Sequence, residues 1–182
     1  KLGDFTPEAV IEDSPVISVD PYNYAEIMKI NAMVEPQLVT VADNAHGAVI
    51  HAFRLLASKL AAHHPILLKD TLDPSVKPEA EFLDHLITAA RNIGSLLCDG
   101  IGDAIIIQGE PAPGQSLRLA YNVLQAAGSR IFKTDYVACP SCGRTLFNLQ
   151  ETTQKIRAAT GHLKGVRLAI MGCIVNGPGE MA

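Results

Sequence analysis

Short apolar runs rich in β-branched residues recur along the first two thirds of the chain and predict strands. Runs of this kind, bounded by Pro, Asp and Gly, are typical of buried strands. The five runs cover residues 15–20, 38–43, 65–70, 95–99 and 103–108. Longer stretches between them place apolar residues three or four positions apart, which predicts amphipathic helices. These helices cover residues 46–63, 78–93 and 115–127.

The alternation of strands and helices indicates the fold class. Helical stretches of this length between strands predict βαβ units, in which the strands are parallel and the helices pack outside them. We therefore predict an α/β protein built of parallel (βα) barrel-like units. Four of the predicted strands run into an acid, at Asp20, Asp43, Asp70 and Asp99. Such acids would lie at the carboxyl ends of the strands, where barrel enzymes carry their chemistry, although capping and turn formation are the favoured interpretation.

The pattern changes near residue 133 and predicts a second, smaller domain. Its elements are a strand at 134–138, a helix at 146–159 and a strand at 166–171. A Cys-Pro-Ser-Cys-Gly segment follows the first of these strands, and a Gly-rich loop follows the second. We predict (βα) units in residues 1–132 and a small α/β domain in residues 133–182.

Composition and charge exclude several classes of protein. The 182 residues are 48% hydrophobic and 19% charged, which is enough apolar sequence to bury a core and excludes disorder. The formal net charge is −4, and Lys and Arg are scattered, so no nucleic-acid partner is expected. The sequence has neither an apolar run of roughly 18 residues nor a signal-like start, which predicts a soluble cytoplasmic protein without a membrane partner. Because Lys1 stands where Met is usual and nothing closes the chain after its Gly-rich loop, we expect part of a longer protein.

The four cysteines suggest metal or redox chemistry, because the sequence lacks secretory features. Cys139 and Cys142 form a Cys-x-x-Cys pair, a spacing that lets two thiolates reach one metal centre. The same spacing occurs in dithiol redox pairs, and two buried small residues would also fit it. Cys98 lies within a predicted apolar strand, where a buried, non-ligating thiol is expected.

The Gly-rich loop adds two further candidate ligands. Cys173 begins this loop, Gly177 and Gly179 remove side-chain bulk from it, and Glu180 provides a carboxylate. Three thiolates and one carboxylate are an unusual zinc set but suit a 4Fe–4S cluster, in which the carboxylate would be the replaceable ligand.

An alternative set of ligands would make the chain a structural zinc-binding scaffold. It comprises Cys139, Cys142, His162 and Cys173. The remaining histidines have no metal-ligand spacing and are expected at surface or satisfied core positions: His46, His51, His63, His64 and His85.

The sequence resembles a known family, the 4-hydroxy-3-methylbut-2-enyl diphosphate synthases, or GcpE proteins. The resemblance rests on Tyr-Val-Ala-Cys-Pro-Ser-Cys-Gly-Arg-Thr-Leu-Phe at 136–147 and on the segment 170–180. It extends through residues 149–151 and 99–103. The earlier residues look like the barrel-like domain inserted in the plant and chlamydial type of this family.

The resemblance implies a fold for each part of the chain. Residues 103–108 and 115–127 would be the last strand and helix of the catalytic barrel, and residues 133–182 the iron–sulfur domain. The family's 4Fe–4S cluster would be held by Cys139, Cys142, Cys173 and Glu180. Asn176 matches a position that contacts the substrate, so Glu180 and Asn176 are the expected catalytic residues.

The resemblance also implies a reaction and partners. The reaction is the two-electron reductive opening of the small cyclic diphosphate 2-C-methyl-D-erythritol 2,4-cyclodiphosphate in non-mevalonate isoprenoid biosynthesis. Ferredoxin or flavodoxin would be the electron donor, and the intact enzyme would be a homodimer. The residues that bind the diphosphate would lie outside this chain, so we expect the chain to be inactive alone.

Overall fold

The computed structural model describes residues 15–73, 75, 81–139 and 147–171. The chain divides into two compact units, Lys1–Ala127 and Gly128–Ala182. Both units contain parallel strands and α-helices, which confirms the α/β class. Within the described ranges, no helix is long and apolar enough to cross a bilayer. The assignment of 1–132 and 133–182 to particular domains stays a prediction.

The first unit alternates strands and helices, as its sequence predicts. Its strands are β1 (Ile17–Val19), β2 (Val39–Val41), β3 (Leu67–Lys69) and β4 (Ala104–Ile106). Its helices are α1 (Tyr24–Asn31), α2 (Val49–Lys59), α3 (Phe82–Ala89), α4 (Ser95–Cys98) and α5 (Pro113–Ala126), with a π-helical turn at Ala90–Gly94. β1 pairs with β2 and β3 pairs with β4, both in parallel, and a bridge between Val39 and Ile66 places β2 beside β3. The spatial order of the strands therefore follows their order in the chain.

The core of this unit lies between the strands and their helices. Val39 and Val41 of β2 and Phe53 and Leu56 of α2 have no more than a trace of exposed surface. Each of these side chains contributes roughly 1.5–3 kcal/mol by leaving water. The apolar face predicted for residues 46–63 is thus the face that holds α2 on the sheet.

The strand predicted at 95–99 is wrong. Ser95–Cys98 is helical and continues α3 through the π-helical turn. The buried residues Ala89, Ile93 and Leu96 follow one another at helical spacing, so the apolar run belongs to a helix face.

Two further expectations fail with that strand. Asp99 lies at the carboxyl end of α4 instead of a strand, and its carboxylate pairs with the guanidinium of Arg54 at 2.7 Å. Cys98 is exposed instead of buried, because the helix turns it away from the face that carries Leu96.

Helix α1 was not predicted, although its start has a recognisable signal. The Asn23 side chain accepts a hydrogen bond from the Glu26 backbone N–H at 3.3 Å, and an Asn at this position is a common helix N-cap. Ile27 and Ile30 form its buried face.

His64 is buried beside the loop that enters β2. Its Nδ1 accepts a hydrogen bond from the Gln37 backbone N–H at 3.0 Å, and its ring centroid lies 3.9 Å from that of His63. Burial lowers the pKa of His64 below its ordinary 6.5, and the neighbouring His63 lowers it further, while the Ile30 backbone partly opposes the change.

Acidification is therefore expected to lower the melting temperature through His64. As the pH falls below about 6.5 the unfolded chain takes up the proton first, so the free energy of unfolding declines until the pH passes below the folded-state pKa. His64→Gln should flatten the pH dependence of the melting temperature between pH 7 and pH 5. The exposed His51 offers a matched control, His51→Gln, which should retain the wild-type slope. Equal slopes in wild type and His64→Gln would contradict this role.

The second unit is a strand–helix–strand unit. It comprises β5 (Asp135–Ala138), α6 (Leu149–Thr160) and β6 (Arg167–Ile170), close to the three elements predicted for it. β5 and β6 pair in parallel, with Asp135 opposite Arg167 and Ala138 opposite Ile170. The Asn148 side chain caps α6 by accepting the Glu151 N–H at 3.1 Å.

Candidate metal centre

Cys139 is the first residue after β5 and is fixed by the strand pair. Its backbone N–H donates to the Ile170 carbonyl at 3.1 Å, which extends the ladder by one rung. The side chain is half-buried. The ladder thus holds Cys139 at the carboxyl edge of the second unit's sheet.

The parallel register ends both strands of the second unit at this one edge. Ala138, the last residue of β5, lies opposite Ile170, the last residue of β6, so the strands end together at the edge at which Cys139 lies. The other proposed site residues lie outside the described residues: Cys142, Cys173, Asn176 and Glu180. Among the residues that are described, no group of three or more His, Cys, Asp or Glu side chains could hold a metal ion.

His162 does not fit a shared site with Cys139. It is exposed, in the turn between α6 and β6. That turn contacts the amino end of β5, since Thr134 Oγ1 donates to the Leu163 carbonyl and Asp135 N–H donates to the Val166 carbonyl at 2.9 Å. β5 has four residues and so separates the two edges by about 13 Å, whereas zinc ligands lie about 2.0–2.3 Å from the ion.

The acids that follow β1 and β2 have structural partners. Asp20 Oδ1 accepts the Tyr22 backbone N–H at 2.9 Å and shapes a turn. Asp43 pairs with Lys69, whose side chain is only 5% exposed. Neither Asp20 nor Asp43 caps a helix. The prediction of a turn-forming role is confirmed for Asp20 and not for Asp43.

Asp70 is the most deeply buried of these acids and joins two strand ends. Its Oδ1 accepts the Gln108 N–H at 2.7 Å and its Oδ2 accepts the Gly109 N–H at 3.1 Å. The Asn92 side chain donates to the Asp70 carbonyl at 2.7 Å. The carboxylate therefore ties the end of β3 to the segment that follows β4.

Sequence analysis did not predict that three polar residues lie near the carboxyl ends of β3 and β4. Lys69 interrupts an apolar run, which is the one signal the sequence offers for it. Asn92 is buried within the π-helical turn, a conformation without a clear sequence signature. His85 is buried, and its Nε2 has no hydrogen-bond partner. The same is true of Nε2 in the buried His64, so the expectation of satisfied core histidines is wrong for both.

Comparison with known proteins relates the whole chain to one family. Residues 135–182 match the model of the GcpE protein C-terminal domain. A "4-hydroxy-3-methylbut-2-en-1-yl diphosphate synthase (flavodoxin)" of Akkermansia muciniphila is 54% identical over all 182 residues, which cover 30% of that relative. The Protochlamydia amoebophila protein of the same name is 43% identical over 82% of this chain and 22% of its own length. A "4-hydroxy-3-methylbut-2-en-1-yl diphosphate synthase (ferredoxin)" of Synechococcus elongatus is 40% identical over 97% of this chain and 41% of its own length.

These relatives lend no support to a zinc scaffold, in agreement with the position of His162. The chain spans less than half the length of each of these three relatives. The similarity nevertheless runs through both units, since the Akkermansia alignment includes every residue. The chain belongs to the GcpE family.

Proposed function

We propose that the chain is part of a reductive dehydroxylase that converts 2-C-methyl-D-erythritol 2,4-cyclodiphosphate into 4-hydroxy-3-methylbut-2-enyl diphosphate. The reaction takes up two electrons and two protons, opens the cyclic diphosphate and releases water. Support comes from the printed names of the relatives, together with identity that extends over the whole chain. The activity is proposed for the longer protein, because the chain spans 30% of the Akkermansia relative.

The second unit would hold a 4Fe–4S cluster through Cys139, Cys142, Cys173 and Glu180. The observation that carries this proposal is the hydrogen bond from Cys139 N–H to the Ile170 carbonyl, within the parallel register of β5 and β6. Three peptide links join Cys142 to Cys139 and two join Cys173 to Met171. Because each link spans at most about 3.8 Å, both thiols can reach the edge at which Cys139 lies.

The donor set fits the chemistry that the reaction requires. Three thiolates bind the iron of a cluster better than they bind hard cations. When bound, the cluster would supply single electrons and a Lewis-acidic iron. The Glu180 carboxylate would complete the ligand set. The Asn176 amide could orient the substrate, because it both donates and accepts hydrogen bonds.

We also propose an electron donor and a role for the first unit. A flavodoxin or ferredoxin would deliver the electrons, as the names of the relatives specify for those proteins. The first unit would form part of a barrel-like domain, which the parallel, sequential order of β1 to β4 favours. We further propose that the full-length enzyme is a homodimer and acts in the cytoplasm.

Anaerobic reconstitution of the chain with iron and sulfide tests the cluster. We expect about four irons per chain and a broad absorbance near ~400 nm, typical of thiolate-held clusters. His162→Ala should leave both unchanged, because His162 lies at the other edge of the sheet.

Two outcomes would overturn this assignment. One is a reconstituted protein that binds a single zinc ion and no iron. The other is loss of the chromophore in His162→Ala while its circular dichroism spectrum remains that of the wild type.

A further inference from the structure

The second unit is basic, although the chain as a whole is acidic. Residues 128–182 contain seven Lys or Arg and three Asp or Glu, whereas the whole chain contains 15 and 19. The excess of acids therefore belongs to the first unit. The net charge of −4 hides this difference, because it sums over both units.

Folding gathers most of these cations at one edge of the second unit's sheet. The turn that follows α6 lies against the amino end of β5, where Asp135 N–H donates to the Val166 carbonyl at 2.9 Å. Of the described acids in this unit, Asp135 lies at this edge and pairs with Arg167 at 3.1 Å, whereas Glu151 lies in the first turn of α6. Five exposed cations lie on or beside these segments and are called the amino-edge cluster: Arg130, Lys133, Arg157, Lys164 and Arg167.

Contacts between neighbouring segments bring the members of the cluster together. The guanidinium of Arg157, in the last turn of α6, lies 5.2 Å from the centre of the Tyr136 ring in β5. Gly165 has a φ of +71°, and a Cβ there would lie 3.7 Å from the Ile131 carbonyl oxygen. The turn that carries Lys164 therefore lies beside the segment that enters β5.

Helix stabilisation accounts for only part of this cluster. Cations near the carboxyl end of a helix are favourable, because the helix dipole leaves that end partly negative. Arg157 and Lys164 lie near that end of α6, but Arg130 and Lys133 precede β5. Like charges gathered at one edge repel one another, which favours a role in binding for the cluster.

An exposed apolar strip connects the cluster with Cys139. Tyr136 faces α6, since its hydroxyl shares a hydrogen bond with Thr160 Oγ1 at 2.9 Å. Alternation along the strand places Val137 on the opposite, outer face of the sheet, with Ala169 beside it in the register. Val137 is 43% exposed, and Ala169 is exposed as well. The outer face thus runs from the amino-edge cluster past these two residues to the end of β5.

We propose that the outer face and the amino-edge cluster together dock the electron donor, an acidic protein. Electron-transfer partners meet through small interfaces, often below about 1,200 Å², and complementary charge speeds their association. Cations beside an apolar strip match a partner whose carboxylates surround its redox group. This inference rests on the proposed function, because it gives the donor for that reaction a place on this chain.

A nucleic acid would also be attracted to cations, but the strip does not suit one. Proteins that hold single strands stack the bases on aromatic rings, whereas Val137 and Ala169 have none. The net charge of −4 also disfavours such a partner.

The test measures how fast an oxidised flavodoxin of acidic net charge associates with the whole chain, before and after reconstitution with iron and sulfide. Surface plasmon resonance gives the rate constants. We expect the association rate constant to fall by about tenfold between about 50 and about 200 mM salt, because salt screens exposed charges. Lys164→Glu should lower it by a similar factor at the lower salt concentration and leave the dissociation rate constant nearly unchanged.

Lys29→Glu is the matched control. Lys29 is exposed in the last turn of α1, so the variant makes the same charge reversal near the end of a helix in the first unit. Its association rate constant should be that of the wild type, and both variants should retain the wild-type circular dichroism spectrum.

Several results would overturn the docking surface. Equal slowing in the two variants would reveal attraction to net charge alone. Wild-type association that does not change with salt, or tighter binding of a uridine RNA than of flavodoxin, would exclude the surface without any variant. A chain that takes up about four irons but binds no flavodoxin would refute the docking surface alone, whereas one that binds flavodoxin but no iron would refute the cluster alone.

Discussion

Cys139→Ser is expected to abolish the iron–sulfur chromophore after reconstitution and to reduce bound iron from about four per chain to less than about one. The hydroxyl of serine is almost never ionised at neutral pH and is a harder donor than thiolate, so it would not replace the lost ligand. Cys139 is half-buried and its ladder bond uses the backbone, so the substitution should leave the strand pair intact. Iron analysis and absorbance measure the effect, and circular dichroism checks the fold.

Cys98→Ser is the matched control for this experiment. It makes the same atomic change at an exposed cysteine of the first unit, at the end of α4. We expect this variant to retain full iron content and absorbance. A cluster that survives Cys139→Ser, or that is lost to the same extent in Cys98→Ser, would disprove the proposed role of Cys139.

The elements of the fold were predictable where the hydrophobic pattern has one interpretation. The apolar runs that became β1, β2, β3 and β4 are short and flanked by turn residues, and the face of α2 is clearly periodic. The run at 95–99 was ambiguous, because an apolar stretch as short as Leu96–Cys98 fits a strand as well as a helix. Its true state depends on α3 continuing through the π-helical turn, which only the packing of Ile93 and Leu96 decides.

The candidate site residues also differ in how clearly the local sequence identifies them. Cys139 could be found because its Cys-x-x-Cys spacing is a local signal. The pairing of Asp43 with Lys69, and of Asp70 with Gln108 and Gly109, joins positions far apart in the sequence. Such contacts depend on which strands become neighbours and in what register, and a single sequence carries no local mark of that choice.

Gly102→Ala is expected to destabilise the first unit by roughly 2 to 6 kcal/mol. Gly102 has a φ of +108°, a conformation that L-residues rarely adopt, at a cost of about 1–3 kcal/mol. An added Cβ would also lie 2.5 Å from Leu68 Cδ1 and 2.6 Å from its Cγ. Leu68 has no exposed surface, so it cannot move aside without disturbing the core, which adds about 1–3 kcal/mol.

Gly100→Ala separates the two causes. Gly100 also has a positive φ, +76°, but an added Cβ there would have no neighbour within 4 Å. This variant should therefore lose only the backbone part, about 1–2 kcal/mol. Urea unfolding of both variants, followed by far-UV circular dichroism, measures the difference. If the two variants lose the same stability, the contact with Leu68 contributes nothing and the cost at Gly102 is conformational alone.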